Sequence, residues 1–216
     1  MSLTLVLANK AYSSWSLRPF MVMRHFAIPF DEVVIPLAQE TTREDILKYS
    51  PSARCPALID GDLVVWDSLA IIEYLAEKYP DLAIWPRPRA ARAVARSIAA
   101  EMHSGFQALR GHLPMNMRRA VERRELTPDA VADVQRLETA WADARARFGA
   151  GGDFLFGGFS AADAMFAPVV NRLHVYDVPV SAAARAYMDA MMALPAYRDW
   201  QRGAEAETLR IAKYEV

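Results

Sequence analysis

Ser50 to Pro80 reads SPSARCPALIDGDLVVWDSLAIIEYLAEKYP, and the order of its residues decides the fold. Asp60-Gly61 stands between Ala57-Leu58-Ile59 and Leu63-Val64-Val65. Asp-Gly between two apolar runs predicts a β-hairpin with a two-residue loop. Asp67 and Ser68 then open a helix, because short oxygen-bearing side chains satisfy the free N–H groups at a helix start. Leu69, Ile72 and Leu75, with Ala76, recur at helical spacing and give that helix one apolar face. Tyr79-Pro80 ends it, since the residue before a proline is pushed out of helical geometry.

Two features flank the hairpin, Cys55-Pro56 before it and Asp67-Ser68 after it. A cis Cys55-Pro56 bond would turn the Cys55 N–H and C=O outward, where an extended peptide could add as one more strand. The N–H groups at the start of the following helix, with the Ser68 hydroxyl, would take a carboxylate of that peptide. The combination predicts a site for a small anionic peptide.

Toward the N-terminus, Leu3 to Ala8 reads as a buried strand, NKAYSS (residues 9–14) as a polar loop, and Trp15 to Ala27 as a helix. Leu17, Phe20, Met21, Met23 and Phe26 form the inner side of that helix. Pro29 breaks it, Phe30 to Ile35 is the next strand, and Thr42 to Tyr49 a short helix. The crossover between the first two strands is long enough for a parallel pair. The predicted order is β-α-β-α-β-β-α.

Toward the C-terminus, prolines at 80, 86 and 88 mark residues 81–88 as a linker, and no strand pattern follows. Apolar residues recur at helical spacing over Arg89 to about Arg124, Pro128 to Phe148, Ala161 to Tyr176, Ala182 to Leu194 and Ala196 to Ala206. Ser160-Ala-Ala-Asp163 has capping-box spacing, which predicts that serine and aspartate each satisfy free N–H groups of a helix. The fold class expected is α+β, a small mixed domain over residues 1–80 and an all-α domain over 89–216. Arg118, Arg119, Arg123 and Arg124, interleaved with Glu122 and Glu125, are expected on a solvated helix face.

Composition narrows the function. With 25 Lys and Arg against 26 Asp and Glu, the net charge is −1, which excludes the basic excess that nucleic acid or anionic membrane requires. The single cysteine, Cys55, allows no internal disulfide and no multi-cysteine metal site. His25, His103, His112 and His174 lack zinc-site spacing, so no metal is expected. Gly149-Ala-Gly151-Gly152 has Phe154 where a dinucleotide fingerprint needs its third glycine, and a helix rather than a strand before it. The N-terminal apolar run lacks a preceding basic segment, and no apolar stretch approaches the roughly 18 residues that span a bilayer. The expected location is the cytoplasm.

The stretch around Cys55-Pro56, the hairpin and Asp67-Ser68 resembles the glutathione-binding half of the cytosolic glutathione transferase superfamily, whose first domain is thioredoxin-like. SSWSLRP (residues 13–19) is similar to the zeta-type motif Ser-Ser-Cys-Ser followed by an aromatic or aliphatic residue and Arg, and to related bacterial serine-type transferases. Ser160-Ala-Ala-Asp163 is similar to the superfamily's buried box, so the resemblance extends over essentially the whole chain. Trp15 stands where the zeta motif has cysteine.

The resemblance implies glutathione as co-substrate, a homodimer, and a detoxifying attack of the glutathione thiolate on the electrophilic carbon of a small hydrophobic or acidic substrate. A free thiol has a pKa of about 8.5, and bringing it to about 6.5 needs roughly 2.7 kcal/mol of differential stabilisation. A helix N-terminus and a hydroxyl donor can supply that. Ser13 or Ser14 is the implied donor, and each also reads as a plain helix cap. Trp15 would floor the site. Cys55 and Pro56 would pair with the cysteinyl unit, and Asp67 and Ser68 would hold the γ-glutamyl end. Arg54 either reaches the glycyl carboxylate or stands in solvent.

Met102, His103, Phe106 and Arg110 fall on one side of the first long helix of the second half, as walls of a second-substrate pocket or as core. Two alternatives stand beside the transferase. One is glutathione-dependent cis–trans isomerisation of a maleyl-type acid, and the other a non-catalytic glutathione-binding module.

Overall fold

The computed structural model describes residues 2–216. Strand β1 (Leu3–Ala8) leads through helix α1 (Ser14–His25) to strand β2 (Phe30–Ile35), parallel to it from Leu3↔Phe30 to Ala8↔Ile35. After α2 (Thr42–Leu47), strands β3 (Ala57–Asp60) and β4 (Leu63–Trp66) form an antiparallel hairpin. The four-stranded mixed sheet has the order β2-β1-β3-β4, with β3 antiparallel to β1. Asp60 pairs with Leu63, so the hairpin loop is Gly61-Asp62, one residue later than Asp60-Gly61. Gly61, at φ 60°, takes the left-handed conformation that glycine adopts without a Cβ clash.

Helix α3 (Ser68–Lys78) follows, with Asp67 as N-cap, its carboxylate accepting from the Leu69 and Ala70 N–H groups at 2.9 and 3.3 Å. Beyond it the regular elements among the described residues are helical: α4 (Arg89–Ser104), α5 (Gln107–His112), α6 (Pro128–Phe148), α7 (Ala161–Val175), α8 (Ala182–Ala193) and α9 (Pro195–Glu205), with a 3₁₀ turn at Ala212–Tyr214. Helix α6 keeps the predicted bounds. Thr127 caps it through the Ala130 N–H, and Pro128 at its first position has no N–H to leave unpaired.

Helix α7 is apolar nearly all round, the pattern of a helix enclosed on every side, and it packs against α1, α4 and α8. The expected capping box is present, with Ser160 N–H and Oγ on Asp163 Oδ2 at 2.8 and 2.9 Å. Asp163 Oδ1 also accepts from the Leu155 N–H at 3.1 Å. The Ala161 N–H donates to the Ile84 carbonyl at 2.7 Å, tying the segment after α3 to this buried helix.

The long helix expected from Arg89 to about Arg124 does not exist as one piece. It breaks at Gly105-Phe106, where Phe106 has φ 58°, and again before Pro114, which forces Leu113 out of helical geometry. Residues 113–127 are irregular. Nor do the arginines of this stretch form a solvated helix face. Arg118 is nearly buried, its guanidinium on the carbonyls of Glu207 and Leu209, and Arg119 lies over the Tyr176 ring at 4.5 Å. Main-chain carbonyls outside helices and strands need donors, and these arginines provide them.

Candidate active site

Two adjoining cavities meet at Trp15, Arg54 and Cys55. The smaller, about 470 Å³, runs from Cys55 and Pro56 to Asp67 and Ser68, with Trp66 and His103 completing its wall. The larger, about 600 Å³, is bounded by Tyr12, Ser13, Ser14, Gln107, Arg110, Met115, Arg172 and Tyr214 among others.

The two serines sit at the start of α1, and their local bonding separates them. Ser13 is the N-cap: its Oγ accepts from the Ser16 N–H at 3.4 Å and donates to Ser16 Oγ at 2.8 Å. Ser16 Oγ in turn accepts from the Ala8 N–H at 3.1 Å, so the Ser13 hydroxyl is tied into a buried chain ending on β1. The Ser14 hydroxyl makes no hydrogen bond among the described residues, and Ser14 lines the larger cavity beside Ser13. The first turn of α1 holds no acidic residue, so the positive end of its dipole is uncancelled beside that hydroxyl.

The Cys55-Pro56 peptide is cis, and strand pairing begins only at Ala57, opposite Val6 and Trp66. Burial pushes the Cys55 thiol up to about 11, which removes it as a nucleophile near neutral pH. Arg54 is exposed at the junction of the two cavities. Asp67 has φ 75° and holds this left-handed conformation while capping α3. Ser68 is buried, and its Oγ has no partner among the described residues.

Trp15 divides the cavities and is surrounded by cations. The guanidinium carbons of Arg18 and Arg110 lie 4.2 and 4.9 Å from its ring, within cation–π range, and the His103 ring meets it edge-on at 5.1 Å. Arg18 is buried, and burial, then Arg110 and Arg172, depress its pKa while Asp67 opposes them.

The four residues expected as walls of a second-substrate pocket or as core divide between the two. Arg110 faces the larger cavity, one nitrogen on the Met102 and His103 carbonyls at 2.5 and 3.1 Å. His103 instead reaches the smaller one, Nε2 3.3 Å from Asp67 Oδ2. Met102 and Phe106 belong to the core and line neither cavity.

Arg172, Tyr12 and Tyr214 also line the larger cavity, beyond the residues expected there. Arg172 comes from buried α7, with Nε on the Leu113 carbonyl at 2.8 Å and Nη1 on the Pro168 carbonyl at 3.4 Å. Its Nη2 has no partner among the described residues, and burial, then Arg110, brings the group down to about 10. A charged residue inside the apolar pattern of α7 was the available signal. Among the described residues, three arginines and no carboxylate line the larger cavity.

Among the described residues, no group of three or more His, Cys, Asp or Glu side chains could hold a metal ion. No helix is long and apolar enough to cross a membrane.

Family models match both halves of the chain. Residues 12–78 match the family model described as glutathione S-transferase, N-terminal domain, and residues 118–202 match that described as glutathione S-transferase, C-terminal domain. The chain belongs to the glutathione S-transferase family.

Among its curated relatives within that family is a probable maleylacetoacetate isomerase of Caenorhabditis elegans, 31% identical over 96 residues. That alignment spans 44% of each chain, less than half the relative's length. Glutathione S-transferase Z2 of Arabidopsis thaliana is 28% identical over 172 residues, covering 76% of this chain and 74% of the relative. Among solved structures, a glutathione transferase homolog from Burkholderia GL BGR1 with bound glutathione superimposes with a TM-score of 0.74. It covers 96% of this chain and 100% of its own at 22% identity, a likeness of fold. The sheet-then-helices order of this glutathione S-transferase-family chain is shared with that solved structure.

Proposed function

We propose that the chain is a glutathione transferase in which Ser14 holds the bound tripeptide's sulfur as a thiolate. The observation that carries this reading is the unengaged Ser14 hydroxyl, in the wall of a cavity that meets the Cys55–Ser68 groove at Trp15. Residues 1–80 form the glutathione-binding unit, 81–88 the linker, and 89–216 the unit facing the electrophile. The γ-glutamyl end lies at the N-terminus of α3, with Asp67 on its ammonium and Ser68 on its carboxylate. The cysteinyl unit runs past the Cys55 main chain, and Arg54 meets the glycyl carboxylate. The thiol gives its proton to solvent water, Ser14 donates a hydrogen bond from its hydroxyl to the resulting sulfur anion, and that anion attacks an electrophilic carbon. The leaving group departs with the bonding electron pair.

Arg110 and Arg172 favour an acidic electrophile, because two cations in a cavity without a carboxylate leave a charge deficit for the ligand to fill. The same pair supports a second reading, isomerisation of a maleyl-type acid. There the thiolate adds to the double bond, the carbon–carbon bond rotates, and the thiolate leaves, so glutathione is regenerated. The protein acts in the cytoplasm as a homodimer, in a detoxifying role. The deciding experiment is retention on glutathione resin followed by assay with an aryl halide and with a maleyl acid. Loss of glutathione with product formation supports the transferase, and turnover without loss supports the isomerase. Binding without turnover of either substrate sinks both in favour of a non-catalytic module.

A further inference from the structure

Tyr12 stands next to the serine pair and borders the same cavity as Ser14, so its phenol is a competitor for the role of thiolate donor. Its bonding excludes that role. A phenol oxygen has one hydrogen to give and two lone pairs to accept with. The hydrogen goes to Glu215 Oε1, and the oxygen accepts from Arg118 Nη2 at 2.5 Å and the Ile211 N–H at 3.3 Å. Burial, then the Glu215 carboxylate, raises the pKa of the phenol, which stays protonated at neutral pH.

The groups that saturate Tyr12 belong to the last residues of the chain and to the irregular segment after α5. The Tyr214 ring stacks on Tyr12 at 5.3 Å between centroids, and Asn116 Nδ2 donates to the Tyr214 carbonyl at 3.1 Å. The rest of the β1–α1 loop is held from the same side. Glu207 accepts the Lys10 and Ala11 N–H groups at 2.6 and 3.0 Å, and Trp200 Nε1 donates to the Lys10 carbonyl at 2.9 Å. The Met117 N–H donates to the Ala11 carbonyl at 2.9 Å.

From these contacts we infer that Tyr12 is a positioning residue: Arg118, Glu215 and Ile211 hold its hydroxyl so that the loop presents Ser14 to the sulfur. The inference rests on the proposed role of Ser14. Displacing a reacting group by about an ångström costs on the order of a hundredfold in rate, so loosening this anchor lowers turnover while the Cys55–Ser68 groove still binds glutathione.

The test compares Tyr12→Phe, Glu215→Gln, Glu215→Ala and Ser14→Ala by three readouts on the full chain. These are S-methylglutathione affinity, kcat, and the ultraviolet titration of the enzyme-bound thiolate. Tyr12→Phe should keep its affinity within about twofold, lose roughly ten- to a hundredfold in kcat, and titrate its thiolate at higher pH. Glu215→Gln, whose amide oxygen still accepts the phenol hydrogen, should stay near the parent, and Glu215→Ala should follow Tyr12→Phe. Should Tyr12→Phe fail to fold, the two Glu215 variants decide the matter. A parent-like thiolate titration in Tyr12→Phe and Glu215→Ala overturns the inference alone. A thiolate lost in Tyr12→Phe but kept in Ser14→Ala makes Tyr12 the donor and overturns it too. A parent protein that binds no glutathione overturns the functional reading and this inference together.

Discussion

Asp67 Oδ2 lies 3.3 Å from His103 Nε2, joining the N-cap of α3 to the last turn of α4 across the smaller cavity. Burial, then Arg18 and Arg110, lowers the His103 pKa below its ordinary 6.5, while Asp67 acts the other way. At neutral pH the imidazole is therefore uncharged and does not compete with a ligand's ammonium for Asp67. Because the folded-state pKa is the lower one, the contribution of His103 to stability is fully present above 6.5 and is lost as pH falls through the depressed value. Protonated His103 also competes for Asp67. Affinity for S-methylglutathione, which has no thiol to titrate, should weaken as pH falls through that depressed value. In His103→Asn that decline should flatten, and calorimetric titration from pH 8 to 5 checks it. An equally steep decline in the variant would remove His103 as the cause.

Ser13 and Ser14 should differ in kind. Ser14→Ala removes the unengaged hydroxyl and should lower kcat by about 10²–10³-fold, the usual effect of deleting one donor to a developing anion. Ser13→Ala removes an N-cap and a buried chain to β1. It should cost about 1 kcal/mol of stability with a smaller effect on turnover. Kinetics and urea denaturation on both variants separate the roles, and the opposite pattern would make Ser13 the donor.

Arg172→Met should raise KM for an acidic electrophile by roughly ten- to a hundredfold, as expected for one charge-assisted hydrogen bond. With a neutral aryl halide KM should change little. Arg172→Lys, which keeps a charge but not the fork that spans Leu113 and Pro168, should fall between. Equal losses on both substrates would assign Arg172 to packing alone.

Asp163→Ala should destabilise the fold by roughly 3 kcal/mol or more, because it strands the Leu155 and Ser160 N–H groups and the Ser160 hydroxyl in a fully buried place. Thermal and urea unfolding measure it. Residual kcat per folded molecule should remain high, since Asp163 lines neither cavity.

Much of the fold was legible along the chain. The Asp-Gly signal between apolar runs located the hairpin to within one residue, and Asp67-Ser68 and Ser160–Asp163 marked two helix starts, because turns and caps are made by neighbours in sequence. The break at Phe106 was not legible, since a left-handed phenylalanine is held by its surroundings rather than by its own preference. Periodicity continued through that point and suggested one helix, which wrongly put Met102, His103, Phe106 and Arg110 on one face.

What the sequence determined by itself, then, is the order of sheet and helices and the short motifs that face a ligand, since these rest on contacts between residues a few positions apart. Tertiary structure alone decided which serine is unengaged and that Arg172 of α7 reaches the cavity. It alone decided that Tyr12 is saturated by Arg118 and Glu215, more than a hundred residues away. The reason is physical: carbonyls, N–H groups and charges left over by irregular segments are matched wherever packing brings a partner, and no local pattern records that partner.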